Sequence, residues 1–274
     1  MHKIGVFDSG FGGLTVLKAL LEVLPQAEYL YFGDTARLPY GSKSSETVAR
    51  YACEAARFLE REGADLLVIA CNTATALALE EIRRRVSIHV LGVVEPGAQQ
   101  ASAFSRSRKA VVIGTEATIS SHAYHRALEN RRMEACEKAC PLLVPLVEEG
   151  WTDHPVTEQV ARIYLQEAFA DGFGSADVLL LACTHYPLLK PLLRRVVPQN
   201  ATLVDSAAST ALAVVNLLGE QETRPTPAAT NGLSPRAAGA VEFFVTDSVQ
   251  KFERLGKMFL GRPIANITHV ELKE

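Results

Sequence analysis

Two stretches limit the possible folds of this chain more than any others. LLVIA at 66–70 and VLLLA at 178–182 are apolar at every position. A strand with one wet face would alternate polar and apolar residues, so these are strands covered on both faces, as in a parallel sheet packed between helices. Comparable short runs recur along the chain, separated by longer stretches with helical spacing. Strands are expected at 3–7, 28–32, 65–70, 89–94, 109–113, 177–182, 202–204 and 241–245. Helices are expected at 14–24, 45–62, 74–86, 119–130, 156–170, 210–218 and 247–260. This alternation implies an α/β protein with mostly parallel sheets flanked by helices.

The two apolar runs also belong to an internal echo. Residues 64–73 read ADLLVIACNT and residues 176–185 read ADVLLLACTH, with five of ten positions identical. Upstream, KIGVFDS at 3–9 has a weaker counterpart in KAVVIGT at 109–115. Two similar lobes would explain the echo, each placing a cysteine where a strand ends. The alternative is chance likeness between buried strands, which draw on a small alphabet.

Other features narrow the function classes. Lys plus Arg total 28 against 31 Asp plus Glu, a net charge of −3 over 274 residues, so there is no basic footprint for nucleic acid. No apolar run approaches the ~20 residues that span a bilayer. The opening MHKIGVFDSG lacks a secretory apolar region with a cleavage site. Five widely spaced cysteines do not suggest a disulfide framework, so a cytoplasmic protein is expected. Residues 222–239 are rich in Pro and Gly and are expected to form an exposed, mobile loop.

Cys71 and Cys183 are the first candidates for chemistry. Ligands of open α/β sheets bind outside the carboxyl ends of the strands, where both cysteines fall. Each precedes a helical stretch, whose N-terminal N–H groups and partial positive charge are expected to lower the thiol pKa below ~8.5. A disulfide exchanger would usually carry C-x-x-C, and a metal site would need more ligands. A third reading is a reaction that inverts one carbon without a cofactor, taking a proton from one face and returning one to the other. Thiols suit both roles near neutral pH. Around them, Asp8-Ser9-Gly10-Phe11-Gly12-Gly13 offers a tight turn with free N–H groups, Asp8 could hold an ammonium or tune a thiol, and His185 could serve Cys183. Pro39-Tyr40-Gly41 lies at a second strand exit.

FDSGFGGLTV, YFGDTARLPYGSKS, VIACNTATA, VPLVEEG and LLACTHYPLL stand in an order and spacing that resemble the glutamate racemase family. Each motif is weak alone; five in order are specific, and the likeness runs from about Lys3 to Gly261. The chain also resembles the wider group of cofactor-independent aspartate, glutamate and hydantoin racemases, with CTHYP and PYG favouring glutamate. The resemblance implies two α/β lobes, 1–97 plus 208–274 and 98–207, with the active site in the cleft. It implies Cys71 as base toward D-glutamate and Cys183 toward L-glutamate, assisted by Asp8 and His185, with Glu148 rather than Glu149 near the histidine. Asp8, Ser9, Pro39, Tyr40, Gly41, Asn72, Thr73, Thr184 and His185 are then expected to meet substrate. The same likeness implies no cofactor and no metal, a homodimer, and a role in supplying D-glutamate for peptidoglycan. FFVTDSVQKF departs mildly from the family pattern and is not expected to touch the site. Aspartate racemisation and a silent small-molecule binder of the same fold are the alternatives.

Other motifs are read plainly. Cys53 is expected to pack in a helix. His122, His125, Cys136 and Cys140 have an unusual order for zinc and are expected on a helix surface and a following loop. Gly10-x-Gly12-Gly13 with Asp34 hints at a dinucleotide fingerprint, but its third glycine is missing, since position 15 is Thr. Arg83 to Arg85 are expected on a solvated helix face.

Overall fold

In the computed structural model, which describes residues 2–222 and 240–272, the chain forms two parallel sheets with helices on their faces. It opens with β1 (Lys3–Asp8), α1 (Leu14–Val23), β2 (Glu28–Gly33), α2 (Ser45–Arg61), β3 (Leu66–Ile69), α3 (Asn72–Arg85) and β4 (His89–Gly92). α4 (Val94–Phe104) leads to β5 (Lys109–Gly114), α5 (Glu116–Ser120), α6 (Ala123–Glu129), β6 (Glu134–Ala139), α7 (Leu143–Glu148), α8 (Pro155–Ala168), β7 (Val178–Ala182), α9 (Lys190–Val196) and β8 (Thr202–Asp205). α10 (Ser206–Glu222) returns the chain to the first sheet, which β9 (Val241–Val245), α11 (Val249–Leu260) and β10 (Ile267–His269) complete.

The sheets run β10-β9-β2-β1-β3-β4 and β6-β5-β7-β8. The β2-β1-β3-β4 part of the first sheet therefore has the same order as the second sheet, with β5 in the place of β1 and β7 in the place of β3. Ile4 pairs with Leu66 in the first sheet and Ala110 with Val178 in the second, so the two echoed segments of each half lie side by side. The runs at β3 and β7 are buried throughout, as covered central strands require. α2 shows how the covering helices form. Ser44 caps it by accepting the Thr47 N–H at 3.3 Å, and Val48, Ala52, Ala55, Ala56 and Leu59 make one buried face.

Several expectations need correction. Residues 134–139 form strand β6, not part of a loop; their polar sequence, EACEKA, hid an edge strand that pairs only with β5. α4 is not among the expected helices. Pro96 lies in the first turn, where no intrahelical N–H is lost, and Gly97 packs against the Tyr124 ring. The single helix expected at 119–130 is two, α5 and α6, separated where His122 takes a left-handed φ of 53°. α7, α9 and β10 were also unforeseen, being too short to show a clear period. The stretch 223–239 lies outside the described residues, and residue 222 ends α10.

Candidate active site

Because every pairing within each sheet is parallel, the carboxyl ends of the strands gather on one side, where α/β proteins bind ligands. The two sheets turn these ends toward one cleft of about 180 Å³. That is room for a small metabolite, below the ~300–1,000 Å³ of pockets for drug-sized ligands. Cys71 follows β3 and Cys183 follows β7, and both line this cleft. Ser9, Pro39, Tyr40, Gly41, Asn72, Thr73, Glu148, Thr184 and His185 line it too. Asp8 does not; it lies behind the lining, almost fully buried.

The cleft is narrow because two glycines let its walls approach. A Cβ on Gly12 would clash with Thr184 Oγ1 and come within 2.6 Å of His185 Nδ1. One on Gly41 would lie 2.7 Å from Thr115 Cβ. Thr15 Oγ1 donates to Thr184 O at 3.1 Å, and the Thr73 hydroxyl meets those of Thr115 and Thr118, each at 3.0 Å. Both halves of the molecule are thus in contact at the site.

The two thiols have different surroundings. Cys71 is the N-cap of α3: its Sγ accepts the Ala74 N–H at 3.4 Å, and in the thiol form it donates to Ser9 Oγ at 3.5 Å. The expected lowering of its pKa does not occur. Burial and the nearby Asp8 carboxyl push the Cys71 thiol up to about 12, and the Ser9 hydroxyl and Ala74 N–H offset this only in part. Asp8 is itself raised by burial, against the pull of the Gly13, Gly10 and Ser9 N–H groups and the His185 charge. Its Oδ2 accepts the Gly10 N–H at 2.9 Å, while Oδ1 is buried with no hydrogen-bond partner among the described residues.

Cys183 is followed by a 3-10 turn, Tyr186–Leu189, rather than an α-helix. Its neighbour is His185, with Nδ1 at 3.9 Å from Sγ. On the far side of the ring, Nε2 meets Glu148 Oε1 at 3.3 Å, and Lys251 Nζ lies 3.4 Å from Glu148 Oε2. Phe259 packs edge-on against the imidazole, centroids 5.0 Å apart. Burial pulls the His185 pKa down, but Cys183 and Glu148 outweigh it and hold the ring up to about 10, an imidazolium at neutral pH. Burial would raise Glu148; the bonds and charges of His185 and Lys251 overcome it and hold the carboxyl low. Lys251 belongs to FFVTDSVQKF, the stretch not expected to touch the site.

Two expected contact residues have their polar groups in use. The Tyr40 hydroxyl donates to buried Asp34, and Asn72 accepts from Tyr124 Oη at 2.6 Å and donates to Ser206 Oγ at 3.3 Å. The Asp34 carboxylate also takes Arg37 Nε at 2.8 Å and Thr246 Oγ1 at 2.9 Å, so it is not free to bind a ribose. Thr115 was missed, although the echo aligns it with Ser9. Lys251 and Phe259 gave no local signal, since they arrive from a distant helix. His122 pairs with Glu137 at 2.7 Å, and no group of three or more His, Cys, Asp or Glu among the described residues could hold a metal. Arg84 and Arg85 pair with Glu81 on an exposed face of α3, as expected.

Fold and site together define an α/β protein of two like-ordered parallel sheets that close on a small cleft, each contributing one cysteine. The chain belongs to the aspartate/glutamate/hydantoin racemase family: residues 4–214 match the family described as Asp/Glu/Hydantoin racemase. It is 59% identical to a glutamate racemase of Koribacter versatilis, over 98% of this chain and 97% of that one. Among solved structures, it resembles Francisella tularensis glutamate racemase in complex with D-glutamate, with TM-score 0.87, 33% identity, and 99% and 98% of the two chains covered. It also resembles Thermus thermophilus glutamate racemase in complex with beta-chloro-D-alanine, with TM-score 0.84, 44% identity, and 99% and 97% covered.

Proposed function

We propose that this protein interconverts L- and D-glutamate with two thiols acting on opposite faces of the α-carbon. The observation that carries this reading is one cleft holding Cys71 from the first sheet and Cys183 from the second. Cys71 as thiolate takes the α-proton of D-glutamate while Cys183 as thiol gives one to the opposite face. For L-glutamate the roles reverse. His185, held by Glu148, serves Cys183, and Asp8, behind the cleft wall, acts through its neighbour Cys71. The substrate ammonium supplies the positive charge Cys71 lacks in the free protein.

Among the described residues lining the cleft there is no lysine or arginine. Both substrate carboxylates then rest on hydroxyls and N–H groups, with Ser9, Thr73, Thr115 and Thr184 at hand. Fixed donors of this kind stabilise charge developing on the α-carboxylate in the transition state, so the reading invokes neither cofactor nor metal. The enantiomers have equal free energy in water, so kcat/KM must be equal in both directions. The unlike thiol environments show only in kcat and KM taken separately.

In this reading residues 1–97 with 208–274 form one lobe and 98–207 the other, and the protein works as a cytoplasmic homodimer supplying D-glutamate for peptidoglycan. No helix among the described residues is long and apolar enough to cross a membrane. The test is incubation with L-glutamate in heavy water, without pyridoxal phosphate and after chelation, following optical rotation and α-deuterium. Both are expected to change together. Cys71→Ala and Cys183→Ala should each lose about 10³-fold or more in racemisation. Undiminished activity in either variant, or faster turnover of aspartate than glutamate, overturns the assignment.

A further inference from the structure

The geometry points to Lys251 as a positioning residue that reaches from α11 to the end of α7, fixes Glu148, and through it sets the proton-holding state of His185 beside Cys183. The inference rests on the racemase reading and extends it to a side chain outside the motifs that carry the family likeness. Nothing in α11's own stability favours a lysine here. Lys251 lies in the helix's first turn, where the helix dipole disfavours a positive charge, and that turn has no acidic residue. Its partners lie elsewhere: Glu148 Oε2 at 3.4 Å and the Phe11 ring at 5.2 Å.

The arrangement is rigid where it must be. Phe252, Leu255 and Phe259 bury α11 against the first sheet's side of the molecule, whereas Glu148 ends α7 beside the second. One carboxylate oxygen faces Lys251 and the other faces His185 Nε2 at 3.3 Å. With Oε2 held, Oε1 stays directed at the imidazole, whose other nitrogen faces the Cys183 sulfur. Released, the side chain of a glutamate at a helix end can turn to water. The groups facing His185 are Cys183, Glu148 and, through space, Asp8 at the end of β1; Phe259 from α11 is apolar. Lys251 meets the ring only by way of Glu148.

That ordering makes a signed prediction. Acting through Glu148, loss of the lysine weakens the carboxylate's hold and lowers the pH at which His185 titrates. Acting directly as a charge, its loss would raise that pH. The experiment compares Lys251→Met, Lys251→Arg, Glu148→Gln and the Lys251→Met/Glu148→Gln pair. Readouts are kcat/KM for glutamate, thermal unfolding, and the His185 ring titration followed by NMR. Lys251→Met should lower kcat/KM by about fivefold, the rate equivalent of a half-exposed ion pair. It should shift the His185 titration downward, and Lys251→Arg should restore both. In the Glu148→Gln background, Lys251→Met should cost nothing further. An equal loss in both backgrounds, an upward shift, or wild-type behaviour of Lys251→Met overturns the inference. If the unaltered enzyme racemises glutamate, those outcomes leave the racemase reading standing; if it does not, that reading fails first.

Discussion

Cys71 and Cys183 occupy corresponding places in the echo, yet their chemistry differs because their neighbours differ. Cys71 has a helix N-terminal N–H, a hydroxyl and the buried acid Asp8; Cys183 has an imidazolium backed by a carboxylate. A raised thiol pKa favours the neutral form, so free Cys71 is a thiol at neutral pH. Its alkylation by a haloacetamide, followed by mass spectrometry, should rise about tenfold per pH unit between pH 7 and 10, because only thiolate reacts. A plateau below pH 9 would show that the N-cap position had beaten burial after all. The expectation of a lowered pKa weighed the helix terminus alone. The deciding quantities, depth and the proximity of Asp8, belong to the folded chain.

Among the secondary-structure elements, the ones that carry the site were the most legible. Strands β1, β3, β5 and β7 announce themselves by unbroken apolar runs, and the cysteines fall just beyond two of them. What escaped was β6, a polar edge strand, and short helices whose period is not established in two turns. The loop after β1 is where sequence and packing meet. Its Gly12 reads as turn chemistry, but the structure gives a sharper reason, the close approach of Thr184 and His185. Gly12→Ala must push the facing wall away, and misplacement of about 1 Å costs on the order of 10² in rate. We therefore expect kcat/KM to fall about that much while the protein still unfolds cooperatively. A variant with full activity would mean that the walls are not held in contact during turnover.

For the molecule as a whole, a ligand gripped by both halves should tie them together. Glutamate of either hand, at 100 times its dissociation constant, should stabilise the fold by about 2.7 kcal/mol, a rise of several degrees in Tm. Cys71→Ala should keep most of this gain, since it removes the base and not the carboxylate donors. Scanning fluorimetry checks it, with aspartate as comparison. A larger shift with aspartate would move the assignment to the aspartate members of the family. The contact at Lys251 fits the same picture, because it joins α11 of one half to the cleft-lining Glu148 of the other.

The covered parallel strands, the doubled architecture and the pair of cysteines at strand ends could all be read from residue order, because each depends on local pattern or on repetition. Hydrophobic spacing is short-range information, and an echo is visible to simple alignment. The protonation of each thiol, the use of Tyr40 and Asn72 as internal struts, and the arrival of Lys251 at Glu148 could not. They depend on burial and on through-space distance between segments far apart in the chain, and only folding sets these.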